Sequence, residues 1–67
     1  MRVGQALGVL REHDIVGEQG SKHLKLRKDG FRPYTVPAHN GLKSELRKEY
    51  ARGICDHFGL DRSLLSG

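Results

Sequence analysis

The chain of 67 residues has little of what several protein classes need. It has one cysteine, Cys55, so no internal disulfide can form, and a disulfide-stapled secreted scaffold is excluded. No apolar run approaches the roughly 20 residues that span a bilayer. The opening Met1-Arg2-Val3-Gly4-Gln5 lacks a signal peptide's apolar stretch, so the expected compartment is a reducing cytoplasm. No phosphate-cradling glycine loop, dinucleotide fingerprint or serine-nucleophile elbow occurs, and no cofactor is implied. There is no internal repeat and no low-complexity linker. The length and these absences leave a single domain over residues 1–67.

Acidic residues are also scarce. Lysine and arginine total 12 against 8 aspartates and glutamates, a net charge of +4, with a pI near 9.6. Such a balance favours polyanionic partners, chiefly nucleic acid, although solubility alone can also explain it. Hydrophobic residues make up 36%, enough for a small core and better suited to a binding surface than to a deep cavity.

The pattern of what remains predicts helix, three strands, helix and a short tail. Val3, Ala6, Leu7 and Leu10 recur at helical spacing over about Arg2–His13, with Gly4 and Gly8 weakening the helix but allowing close approach to a sheet. Ile15–Gln19 is a short strand, and Gly20-Ser21 a turn. From His23 to Arg27 the residues alternate, with Leu24 and Leu26 on one side and His23, Lys25 and Arg27 on the other. A strand half in water is expected. Lys28-Asp29-Gly30 reads as a hairpin turn, followed by a strand from Phe31 to Val36. Pro33 should lie at an edge or bulge, and Pro37 should end the strand. After the loop Ala38-His39-Asn40-Gly41, a helix from about Lys43 to Phe58 carries an apolar stripe of Leu46, Tyr50, Ile54 and Phe58 and stops at Gly59. Asp61–Leu65 forms a last capped turn whose leucines return to the core. The resulting α+β order, α-β-β-β-α, implies a three-stranded antiparallel sheet with two helices on one face, the arrangement of double-stranded-RNA-binding domains.

The stretch Gly20-Ser21-Lys22-His23-Leu24-Lys25-Leu26-Arg27-Lys28-Asp29-Gly30 resembles the centre of HicA toxins, which read Gly-Ser-His-His, a strand, then Pro-Asp-Gly. Tyr34-Thr35-Val36-Pro37-Ala38-His39 is similar to that family's strand ending in Val-Pro-x-His. Ile54–Leu60 is similar to its final helix, which stops at Gly-Leu or Gly-Ile. The three motifs fall in the family's order and spacing, and the resemblance as a whole covers about Arg2–Leu65. The resemblance implies a metal-independent endoribonuclease acting on messenger RNA and silenced by a HicB-like antitoxin. The family's catalytic histidine directly follows Gly-Ser. That position here holds Lys22, with His23 one residue later.

Metal-free RNA cleavage needs a base for the 2′-hydroxyl proton and cations for the phosphate. His23 is the candidate base, with Lys22 the other candidate catalytic group. Lys22, Lys25, Arg27 and Lys28 are candidate RNA contacts. Gly20 and Ser21 are further candidates through backbone N–H groups, although simple turn geometry explains both equally well. A solvated strand face is the alternative for the basic residues. His39 fits an assisting role or a plain exposed loop. Phe31 and Tyr34 fit base stacking or core packing. Cys55 and His57 stand two apart on different helix faces with no second pair, so zinc is not expected, and Cys55 reads as a small buried residue. An acidic protein partner is the competing use for the basic surface.

Overall fold

The structure is a computed structural model, and it describes residues 1–20, 22–37 and 41–65. Helix α1 (Val3–Arg11) leads to strands β1 (Val16–Gln19), β2 (His23–Arg27) and β3 (Tyr34–Pro37). A 3-10 turn at Gly41–Lys43 precedes helix α2 (Lys48–Phe58), and a second at Arg62–Leu65 follows it. The sheet is antiparallel with β2 in the middle. Both helices pack on the same face, α1 against β1 and α2 against β3. The expected α+β arrangement is therefore present.

α1 opens with the Arg2 N–H donating to the Gln5 Oε1 at 2.9 Å. It ends sooner than the apolar spacing suggested, because Asp14 adopts a left-handed φ of 64°. The Ile15 N–H then reaches the Leu10 carbonyl and the Asp14 N–H that of Arg11, closing a Schellman motif. Leu10 and Ile15, the apolar pair of that motif, are both buried. Gly4 permits a close approach, but to Leu42 of the first 3-10 turn rather than to the sheet, and Gly8 faces open space.

Strand β2 has the predicted limits. Leu24 and Leu26 are buried beneath the helices, together with Val36 of β3. β3 starts three residues later than expected. Lys28–Phe31 is a turn closed by the Phe31 N–H on the Lys28 carbonyl, with Gly30 at φ 84°. Phe31 then leaves the ladder to set its ring 5.6 Å from that of Phe58. Pro33, without an N–H, stays outside the strand. Pro37 is the last residue of β3 instead of the first beyond it, pairing with His23 at a sheet edge that needs no donor from it.

α2 begins at Lys48, not Lys43. The residues before it are drawn into a bridge with the N-terminal segment: the Leu46 N–H donates to the Met1 carbonyl, and the Val3 N–H to that of Ser44. Gly59 supplies the left-handed stop at φ 68°, with the Leu60 N–H reaching back to the Cys55 carbonyl. In the tail, Asp61 accepts bonds from the Ser63 N–H and hydroxyl, which hold its carboxyl below the usual range. Arg62 grips Asp56 with two bonds of 2.9 and 2.8 Å, and Leu65 returns to the core.

The core joins Val3, Ala6 and Leu10 of α1 and the sheet leucines to Ala51, Ile54, Cys55 and Phe58 of α2. Among the described residues no polar or charged side chain is buried. The charge of the chain is therefore expressed on its surface.

Candidate nucleic-acid interface

The helices occupy one face of the sheet, so the other is open to solvent. Strand alternation assigns residues to it without ambiguity. β2 presents His23, Lys25 and Arg27, and the strand register sets their neighbours. Val16 lies opposite Arg27, and Glu18 opposite Lys25. Thr35 flanks Lys25 on the other side, and Pro37 flanks His23. His23 and Arg27 are exposed and Lys25 is half-buried. The three predicted groups thus share one face.

Near one end of this face a shallow hollow is lined by Glu18, Gln19, Gly20, His23, Lys25 and Thr35. It brings an imidazole and an ammonium together over neutral side chains and one carboxylate. Lys22 is exposed, precedes the strand, and does not line the hollow. Gly20 contributes a wall. Its N–H donates to the His23 carbonyl at 2.8 Å, so turn closure uses the donor that a phosphate would need. Ser21 and His39 lie outside the described residues. Lys28 sits in the turn after β2, with its Nζ 5.5 Å from the Phe31 ring centroid.

Glu18 is the residue that sequence reasoning missed. Its carboxylate is 3.9 Å from the Arg27 guanidinium, both side chains being more than half exposed, and it stands directly across from Lys25. The basic strip is therefore notched by one acid. The information was present in the parity of β1: with Ile15 and Gly17 turned inward, Val16 and Glu18 must face outward. Only the register placed Glu18 beside Lys25.

The aromatic candidates separate. Tyr34 is half-buried, packs on the core, and lies 4.9 Å from the His57 ring. Phe31 rests on Phe58 yet stays 42% exposed, leaving part of its ring free for another partner. His57 donates from Nε2 to the Arg32 carbonyl at 2.6 Å and meets Phe58 edge-on. It pins the β2–β3 loop to α2. Cys55 is fully buried, as expected. Burial and then the neighbouring Asp56 push its thiol pKa up. Among the described residues no three His, Cys, Asp or Glu side chains gather as metal ligands would, and no described helix is long and apolar enough to cross a membrane.

No family model, curated protein or solved structure matches the chain.

Proposed function

We propose that the chain is an RNA-binding protein of HicA type, which engages messenger RNA through the open face of the sheet and cuts it without metal. One observation carries this reading. His23 and Lys25 line a single solvent-open hollow, and Arg27 continues the same face. His23 is the base and takes the proton of a ribose 2′-hydroxyl. The freed oxygen attacks the adjacent phosphorus, the bond to the 5′-oxygen breaks, and that oxygen takes a proton from water. Lys25 offsets the charge that builds on the phosphate, with Lys22, Arg27 and Lys28 holding the flanking chain. His23 thereby does the work that the resemblance assigns to the preceding position, now Lys22. A HicB-like antitoxin would silence the protein by covering this face.

Incubation of RNA with the purified protein in chelator tests the reading. Fragments ending in 2′,3′-cyclic phosphate, lost in His23→Ala and kept in Lys22→Ala, are the expected result. Binding without cleavage would leave an RNA-binding relative. The absence of both would leave a protein-interaction module. Glu18 favours that second reading, since a carboxylate amid the cations repels phosphate but suits a mixed-charge protein surface.

A further inference from the structure

At the other end of the open face, past Arg27, a groove of about 710 Å³ runs between the start of β1 and the β2–β3 turn. Arg27, Lys28, Phe31 and Val16 line it, together with Asp14 and Asp29. Val16 is 58% and Phe31 42% exposed, two of the three large hydrophobic side chains that stand open to solvent among the described residues. Lys28 stands over the Phe31 ring, and Phe58 braces that ring at 5.6 Å. Asp14 is held by its left-handed backbone and the Schellman bonds around it. Among the described residues neither Asp14 nor Asp29 has an ion-pair partner.

These features select a ligand. Bare phosphate does not fit a groove with two carboxylates. A purely apolar ligand leaves the two carboxylates, which have no ion-pair partner among the described residues, unused. What fits has a flat apolar face for Phe31 and Val16, hydrogen-bond donors for a carboxylate, and negative charge on either side for Arg27 and Lys28. A nucleotide within a single strand has all three. Guanine fits best, because its adjacent N1–H and N2–H donors match the two oxygens of one carboxylate. Adenine and cytosine set a single amino group beside an acceptor, and uracil sets one N–H between two acceptors. Base pairing hides these donors, so a duplex does not qualify.

We infer that this groove is a nucleobase subsite of the RNA surface, taking an unpaired guanine against Phe31 with one carboxylate of the Asp14 and Asp29 pair as its acceptor. The inference rests on the RNA reading above and narrows its substrate to single-stranded, guanine-containing RNA. His23 and Arg27 are four residues apart on one strand, about 13 Å at about 3.3 Å per residue. The subsite is therefore separate from the His23 hollow, and a strand crossing Lys25 reaches both.

Fluorescence anisotropy with labelled RNAs tests the assignment, comparing a six-nucleotide all-adenosine strand, the same strand with one internal guanosine, and a hairpin that holds that guanosine base-paired in its stem. The guanosine single strand should bind about tenfold more tightly than the other two, the scale of one bidentate base contact. Asp14→Asn with Asp29→Asn keeps side-chain size and suits the left-handed backbone at Asp14. It should abolish the guanosine preference, so that the two single strands bind equally, while adenosine binding is kept or strengthened as two carboxylates leave the groove beside Arg27 and Lys28. Phe31→Leu keeps an apolar contact to Phe58 and should weaken both single strands about fivefold or more, without altering the salt dependence. Equal affinity for the two single strands, or unchanged binding by Phe31→Leu, overturns the subsite. If RNA binding still depends on Lys25 and Arg27 in that case, only the subsite fails. If the folded parent binds none of the RNAs, both readings fail.

Discussion

Neutralising Lys25 and Arg27 together, as Lys25→Gln with Arg27→Gln, should change the salt dependence of RNA binding by a calculable amount. Four permanent cations serve the open face and its approaches: Lys22, Lys25, Arg27 and Lys28. Each phosphate contact on a single strand contributes about −0.7 to the slope of log affinity against log salt, so four give about −2.8. Raising salt from about 50 to about 200 mM then costs the parent roughly 50-fold in affinity. The double variant keeps two contacts, a slope of about −1.4 and a loss of roughly 7-fold. Glu18→Gln moves in the opposite sense. It removes the carboxylate 3.9 Å from Arg27 and across from Lys25. Exposed pairs of this kind are worth about 0.2–1 kcal/mol, so affinity at low salt should rise by roughly 1.5- to 5-fold. Anisotropy titrations at four or more salt concentrations would measure both slopes, with urea midpoints confirming that the variants stay folded. A double variant with the parental slope would refute the placement of phosphates on this face.

Three further outcomes follow from the packing. Gly53→Ala should destabilise the fold by about 1–3 kcal/mol in urea unfolding, because the added methyl meets the hydroxyl of Tyr34, the end of a rigid ring between α2 and β3. Arg62→Ala should flatten the acid limb of stability. Arg62 holds the Asp56 carboxyl below its ordinary value of about 3.8. That contribution is complete above the ordinary value and is lost as pH falls through the lowered one. Thermal midpoints between pH 2 and 5 would show a shallower fall in the variant, the Asp61 contribution remaining. Cys55 should resist iodoacetamide in the native protein at pH 8 and react fully in urea, since burial keeps the thiol protonated and out of reach. Rapid native labelling would contradict that packing.

Local chemistry made much of this legible from the chain alone. The alternation from His23 to Arg27 needs no tertiary context, because a strand's side chains can only alternate, and one buried face forces the other outward. Gly59 stopped α2 and Asp61 capped the tail because left-handed φ and short polar side chains do those tasks wherever they occur. Leu46, Ile54 and Phe58 were recognisable as core by spacing. Where each element began was less legible. The start of α2 moved from Lys43 to Lys48 because Ser44 and Leu46 bond to the N-terminal segment, some forty positions away. The late start of β3 depended on Phe58 holding Phe31 and on His57 holding the Arg32 carbonyl.

The candidate site divides the same way. Which residues of β2 face solvent is a property of a few consecutive amino acids and of the pleat. That Glu18 stands against Lys25, and that Asp14, Val16 and Phe31 line one groove, are properties of strand register and loop packing. They depend on contacts between residues distant in the chain, so only the folded molecule decides them.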